Sequence, residues 1–501
     1  MRTYPAVIAL LSAVTPTLLG AQIVPIRTVP ISQAHQFDIF PSERLGMGGV
    51  SIAVADPLLD PFTNPAKGAR IETPRFFGSP ATYGVSRDAG AGRTLPLAAM
   101  TKSGPWFGAL LLGLQQVDLS EQPPQVFFAC AECDELDIDL DLERNNRSRG
   151  NEYAFASLGR DLRGGVSLGG SIFWSGLDAI DGVDMLYAGS AQVEQAGHAV
   201  DVRLGALKEW DGDRSLEVVA VYNRFRMTHD VVFLDSFWNP EMQQTEQRPR
   251  VEHNLDRTHT WGLHAEYEQP LPGDGWRIGW LATANYKTHP KLPTYELPTI
   301  APIPRDPGHS AAFQAGIGFA RTRGTATFGI DLIYEPIWTY TWADAAAPIE
   351  TERGETIPAG GKTIENHFRF SNAQLRMGVG DEIELPGAAV GLQLGLALHR
   401  VHYWLDQHDN IQDTDRSQEE RWLEWTPTWG LTFRRPSFEI RYRGSVANGT
   451  GRPGVAQPTW GFALEDLSAG GSNILLAPTG PVTLDEVRVT AHQLSLSLPI
   501  H

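Results

Sequence analysis

The chain has 501 residues, 42% of them hydrophobic and 20% charged, with a formal net charge of -18. This apolar content excludes a disordered chain. The acidic excess, with no basic stripe, argues against nucleic acid as a partner, because phosphates need cations. A soluble protein of this length would divide into several domains. The alternative is one large closed sheet, and the patterning favours it.

Residues 1–21 read as a secretory signal peptide. Met1-Arg2 is followed by an apolar run from Ala6 to Leu19 and then Gly20-Ala21, with cleavage expected after Ala21. The run is short for a membrane helix, which needs about 20 apolar residues, and Thr15 and Pro16 interrupt it.

Residues 22–74 form an N-terminal segment whose informative part is FDIFPSERLGMGGVSIAVADPLLDPFTNPAKGARI, from Phe37 to Ile71. Gly46, Gly48 and Gly49 allow close backbone approach, Val50 to Ala55 is a short apolar run, and Asp56-Pro57 and Asn64-Pro65 are turn formers. A leader this apolar is poorly suited to free solvation. It is expected to fold back into the bore of a barrel as a hatch.

From residue 75 to 501 the signal is alternation with period two, since successive side chains of a strand point to opposite faces. In 390–399, Val390, Leu392, Leu394, Leu396 and Leu398 share one face, against Gly391, Gln393, Gly395, Ala397 and His399 on the other. The stretches 261–268, 311–320 and 326–335 repeat the pattern. An apolar face opposite a polar, glycine-rich one fits a wall with lipid outside and a crowded polar interior.

Seven tight turns, from Ser103-Gly104-Pro105 to Arg435-Pro436, alternate with long polar connections at 118–151, 178–197, 229–257, 288–308, 339–366, 405–420 and 448–486. Short periplasmic turns and long extracellular loops alternate in this way in outer-membrane barrels. Sixteen strands are counted, from 75–84 to 487–499. Pro80 interrupts the first, and fourteen is the alternative count. The fold class is therefore all-β: a transmembrane antiparallel barrel of 14–16 strands with an N-terminal hatch. Trp174, Trp261, Trp338, Trp404, Trp422 and Trp425 are expected at the loop-side ends of strands, and Trp106, Trp210 and Trp276 beside the tight turns, as two aromatic belts.

Chemistry-bearing motifs are sparse. Cys130 and Cys133 suit a local disulfide in an exported loop. The acidic run Glu135 to Glu143 reads as a solvated strand face in preference to a calcium site. His492, Ser495 and Ser497 lie near the last strand but lack a third orienting group. No catalytic residue, metal or cofactor is expected. Pro427 lies inside the strand 421–434 and cannot donate to the ladder, so a bulge or local gap in the wall is expected there.

Gly-Met-Gly-Gly at 46–49, Ala53-Val54-Ala55-Asp56 and Asn64-Pro65-Ala66 resemble the N-terminal signature of FadL-type outer-membrane transporters of hydrophobic compounds, and related PorV-type barrels carry a similar segment. The resemblance covers about 30 residues. It implies a 14-strand barrel with a luminal hatch, and hydrophobic ligands bound near the extracellular loops that leave through the wall. The sixteen counted strands and the terminal His501, in place of an aromatic residue, depart from that pattern. The expected function is passive outer-membrane uptake of hydrophobic or amphipathic molecules such as long-chain fatty acids. Phe127, Phe128, Leu234, Phe237 and Trp238 are expected in loops as the capture site. Expected partners are outer-membrane lipid, lipopolysaccharide and the small-molecule ligand. The alternative is a non-transporting barrel that serves a protein-secretion or surface-attachment machine.

Overall fold

The computed structural model describes residues 35–37, 39–86, 90–118, 148–180, 192–239, 242–288, 291–294, 308–345, 347–453 and 484–500. The described part of the N-terminal segment holds 3-10 turns at His35–Phe37, Leu45–Met47 and Pro65–Arg70 and a one-turn helix, α1, at Asp60–Thr63. The strands follow in chain order: β1 Arg75–Gly78, β2 Ala81–Val85, β3 Ala91–Ser103, β4 Trp106–Asp118, β5 Ser148–Leu162, β6 Val166–Leu177, β7 Gln192–Trp210, β8 Arg214–Asn239, β9 Gln244–Pro270, β10 Trp276–Thr288, β11 Lys291–Thr294, β12 Gly308–Arg323, β13 Ala326–Asp344, β14 Ile349–Glu350, β15 Thr356–Ile357, β16 Lys362–Leu385, β17 Ala388–Asp409, β18 Thr414–Arg435, β19 Phe438–Pro453 and β20 Leu484–Pro499.

Eighteen of these segments form one sheet, and β14 and β15 form a small separate hairpin. The sheet closes on itself: β20 pairs antiparallel with β19 and also with β1 and β2, which in turn pair with β3. Closure removes the unpaired edge that an open sheet of this size would expose. β1 and β2 are two halves of one wall position, parted at Ser79-Pro80, where the Ser79 N–H is bonded to Pro96 and the Pro80 carbonyl to Leu494. β11 extends the line of β10 along β9. The wall therefore has sixteen positions, as counted from the turns, and not the fourteen that the family resemblance implies.

The burial pattern is inverted relative to a soluble protein. On β4, Leu110, Leu112 and Leu114 are exposed, while Leu111, Gln115 and Val117 face inward and are buried. On β9, Trp261 and Leu263 are exposed while His264, Glu266 and Glu268 are buried. Phe328, Leu332 and Tyr334 of β13 point out, and Asp331 and Glu335 point in. A wall of leucines can face outward only if the outer solvent is hydrocarbon. No helix among the described residues is long and apolar enough to cross a membrane.

Tryptophans mark the rims. Trp106, Trp174, Trp210, Trp261, Trp338 and Trp425 are exposed on the outer face. Beside the tight turns, Arg160 lies over Trp106 at 5.1 Å, Lys208 over Trp210 at 5.5 Å and Arg321 over Trp276 at 5.3 Å. Such a cation above a ring suits an interface where the stem lies on apolar surface and the charge meets headgroups. Trp422 departs from the belt: it packs inward against Phe368, Tyr403 and Leu405.

Several stretches expected as loops are strand. β8 and β9 stay paired as far as Asn239↔Gln244, and β17 and β18 as far as Asp409↔Thr414. The stretches 229–257 and 405–420 are therefore long hairpins, and the connection at 339–366 shortens on both sides. Beyond the bilayer both faces of a strand are wet, so the alternation that marks a lipid-facing strand disappears while the ladder continues. Leu234, Phe237 and Trp238 accordingly lie on β8, not in a loop.

The inverted wall yields a prediction. Leu112 sits mid-strand on β4 and is 68% exposed on the outer face. Leu112→Arg is expected to destabilise the bilayer-embedded barrel by about 2–4 kcal/mol, measured by reversible guanidinium unfolding in phospholipid vesicles. A loss under about 0.5 kcal/mol, the size of an ordinary surface substitution, would place this face in water.

Candidate functional site: the N-terminal segment within the barrel

The segment owes its local shape to one carboxylate. Asp56 accepts hydrogen bonds from the backbone N–H groups of Glu43 (2.9 Å), Arg44 (3.2 Å), Leu58 (3.2 Å) and Leu59 (3.1 Å), and from the Ser42 hydroxyl. It thereby ties the chain before the glycine cluster to the chain before α1. Asn64 plays a second such part: its Oδ1 accepts from the Ala66 N–H at 3.0 Å, capping the turn that begins at Pro65.

The segment touches the wall backbone to backbone. Gly48 has φ +74°, a left-handed conformation that favours glycine, and a β-carbon there would stand 2.5 Å from the Met377 carbonyl oxygen. A β-carbon on Gly46 would stand 2.8 Å from the Gly430 nitrogen. Across the contact the wall supplies glycines of its own. A β-carbon on Gly378 would come within 2.2 Å of the Met47 carbonyl, one on Gly395 within 2.1 Å of the Gly48 nitrogen, and one on Gly205 within 2.0 Å of the Asn64 Oδ1. The glycine-rich inner face thus makes room for the segment.

Two chemistries hold it. Towards β16 to β19 the contacts are polar. The Thr428 hydroxyl accepts from the Gly48 N–H (2.8 Å) and donates to the Gly46 carbonyl (2.9 Å). Asp331 of β13 accepts from the Ser51 N–H (2.7 Å), Gln393 donates to the Glu43 carbonyl (2.7 Å), and Arg441 pairs with Glu43 (2.8 Å). Towards β4 to β6 they are chiefly aromatic, beside Gln36, which exchanges hydrogen bonds with Gln115 of β4. Phe40 and Phe62 lie 5.0 Å apart; Phe62 lies 5.0 Å from Phe155 and Phe40 lies 5.7 Å from Phe173.

Between these zones lies a charged pocket. Lys67 pairs with Glu217 of β8 (3.0 Å) and Asp60 (3.6 Å), and Asn64 Nδ2 donates to Glu217 (2.9 Å). His264 and Glu266 of β9 complete it. Burial pushes the Asp60 carboxyl up to about 7 against the pull of Lys67, with Asp56 and Glu217 adding to the rise and Arg70 opposing it.

The expected hatch residues Gly46, Gly48, Gly49, Asp56, Asn64, Pro65 and Ala66 all lie in this seat, and their motif spacing is explained by the two caps and the glycine contacts. Lys67, Glu217, His264 and Glu266 were not singled out by sequence reasoning. His264 and Glu266 had only the alternation of 261–268 as a signal; Glu217 is followed on its own face by Val219 and Val221, and Lys67 lies in the turn after Pro65. Phe127, Phe128, Cys130, Cys133, the run 135–143 and the signal peptide lie outside the described residues. At Pro427 the ladder to β17 is continuous (Leu396↔Pro427), but towards β19 pairing passes from Trp425↔Asn448 directly to Thr428↔Ser445 with no change of register. There is no bulge at the proline, only two unpaired positions. His492 and Ser495 point to opposite faces: His492 bonds Tyr442 (2.8 Å) outside, and Ser495 bonds Ser79 (2.8 Å) inside.

The sequence matches no protein-family model and no curated protein. Among solved structures, the barrel is similar to a Pseudomonas aeruginosa FadL homologue at 12% identity, over 95% of this chain and 99% of that one, with a TM-score of 0.41. It is similar to the Pseudomonas putida toluene transporter TodX at 9% identity, over 91% and 97%, with a TM-score of 0.39. The Ralstonia pickettii toluene transporter TbuX gives 10% identity, 91% and 97% coverage and a TM-score of 0.38. At such identities the likeness concerns the barrel alone.

Two predictions follow from the seat. Asp56→Ala removes the acceptor shared by four amides and a hydroxyl, and is expected to weaken the local fold of the segment by about 3 kcal/mol. Hydrogen exchange at Glu43, Arg44, Leu58 and Leu59 measures the loss, and unchanged protection would contradict it. For Asp60, the folded value of about 7 lies above the free value of 3.8. Its contribution to docking is therefore fully present below pH 3.8 and is lost as pH rises through about 7. Protease protection of the segment is expected to fall across that window in the wild type and to fall less in Asp60→Asn, where the buried Asp56 is left to titrate.

Proposed function

We propose that this barrel is an outer-membrane channel for hydrophobic or amphipathic small molecules, with residues 22–74 as a hatch domain and 75–501 as the barrel. One observation carries the reading: a lipid-facing wall holds its own N-terminal segment in the bore through an aromatic cluster and a glycine seat. An open pore for ions and sugars has no use for a greasy internal partition. A partition that is apolar on one side and hydrogen-bonded on the other can part from the wall stepwise.

The capture surface in this reading combines the tip of the β8–β9 hairpin, with Leu234, Phe237 and Trp238, and the loop residues Phe127 and Phe128. An inward cluster of Phe368, Phe370, Tyr403, Leu405 and Trp422 adds to it. That cluster lies on the long-connection side of the seat: Phe368 is near the start of β16, and Gly378, which faces Met47, is further towards the tight turn. The solute moves from this surface past the Gly46–Ala66 region. It leaves towards the bilayer beside Pro427, where the β18–β19 ladder lacks two pairs.

The experiment is uptake of a fluorescent long-chain fatty acid, and separately of an aromatic hydrocarbon, by proteoliposomes. The wild type is expected to exceed protein-free vesicles several-fold, and the double variant Phe370→Ala/Trp422→Ala to lose most of that excess. Uptake no faster than in empty vesicles for both solutes, with a large protein partner co-purifying, would replace the transport reading by the assembly one.

A further inference from the structure

Glu217 and Glu266 stand directly opposite each other on β8 and β9, both facing the bore and both buried. Like charges in direct cross-strand register are destabilising, and a buried carboxylate needs a counter-charge. The neighbourhood supplies too little. Glu268 has Arg277 at 2.9 Å and Asp201 has Arg203 at 2.7 Å. Glu217 and Glu266 share the ammonium of Lys67 with Asp60, on which Arg70 also acts.

The third member of the group is prepared to donate a lone pair. Gln314 Nε2 donates to the Glu335 carboxylate at 2.7 Å, so its Oε1 is an acceptor; the Thr283 hydroxyl donates to it at 3.4 Å. The Thr283 oxygen is then left to accept from His264 Nδ1–H at 2.9 Å. In the neutral ring this places the hydrogen on Nδ1 and leaves Nε2 as a bare acceptor. His264 is only 5% exposed, and its Nε2 has no hydrogen-bond partner. It points at Glu217 Oε1 (3.6 Å) and Glu266 Oε2 (3.9 Å). Glu266 Oε1 is likewise buried without a partner. Glu217 engages Asn64 and Lys67 through Oε2, leaving Oε1 for the pocket.

We propose that Glu217, His264 and Glu266 form a binding site for a divalent transition metal of the zinc class. One ligand atom from each lies within 4.8 Å of the others, close enough for a single ion to bridge them after small side-chain rotations. One imidazole nitrogen and two carboxylates match zinc, with a fourth position left open; calcium prefers an all-oxygen shell. The ion supplies the missing positive charge between two facing glutamates. Thr283 orients the ligating ring from behind, as outer-shell partners of metal-bound histidines do. Because Glu217 offers one oxygen to the metal and the other to Asn64 and Lys67, the ion and the N-terminal segment are held by the same carboxylate.

The test uses the full chain purified in detergent, stripped with a chelator and titrated with Zn²⁺ alone, with bound metal counted after dialysis. Co²⁺ replaces Zn²⁺ in a parallel titration, to read the ligand field by absorption. The wild type is expected to retain one ion per chain and to give a tetrahedral cobalt spectrum. His264→Gln and Glu266→Gln are expected to abolish both, and Thr283→Val to weaken binding by about 10–100-fold. Heat-modifiable gel mobility verifies that each variant is folded. If one ligand variant fails to fold, the other and Thr283→Val decide. Absence of zinc in the wild type, or retention at wild-type affinity in the folded variants, overturns the site. The result is independent of transport, since a barrel that carries no solute can still bind zinc.

Discussion

A sheet closed with its apolar face outward leaves its bore lined by the polar half of every strand, and that half must find partners. Here the partner is the chain's own N-terminal segment, and the distance between them is set by backbone meeting backbone. Met47 and Gly48 lie against Gly378 and Gly395, and Asn64 lies against Gly205, so closely that a methyl group on either side would not fit. Glycine at these wall positions weakens strand propensity by up to about 1 kcal/mol each relative to alanine. The return is a seat in which segment amides and carbonyls reach Thr428, Asp331 and Gln393 directly.

The seat is uneven in its chemistry. On the β4–β6 side Phe40 and Phe62 interlock with Phe155 and Phe173, contacts that depend on close packing and lose value as soon as a gap opens. On the β16–β19 side the attachments add hydrogen bonds from Thr428 and Gln393 and the Glu43–Arg441 ion pair to the backbone packing of Met47 and Gly48. Between them Lys67 is anchored by Glu217, and the whole arrangement is stiffened by the Asp56 hub.

Much of this was legible in the sequence. Alternation at 261–268, 326–335 and 390–399 announced which face meets lipid, and turn chemistry located the tight connections that give sixteen wall positions. The motif from Gly46 to Ala66 announced close backbone approach and two turns, at Asp56-Pro57 and Asn64-Pro65. Other parts were hidden for physical reasons. The sequence at 229–257 and 405–420 carries no sustained apolar alternation, so nothing in its periodicity separates strand from loop. Glu217, His264 and Glu266 come together only because the β8–β9 register sets Glu217 opposite Glu266, and register between strands is not written in either strand alone. The two unpaired positions at Pro427 follow from its missing N–H. That the break falls towards β19 and not towards β17 depends on which neighbour the proline nitrogen faces.

The segment lies inside the wall, with Ser51 against β13. Replacing Cys130 and Cys133 by serine and introducing cysteines at Ser51 and Asp331, whose backbone N–H and carboxylate are 2.7 Å apart, allows that contact to be read covalently. Oxidation of the membrane-embedded protein should convert both thiols into an intramolecular disulfide, identified by mass spectrometry of the linked peptides. Two thiols that remain open to alkylation in the folded, lipid-embedded barrel would contradict it.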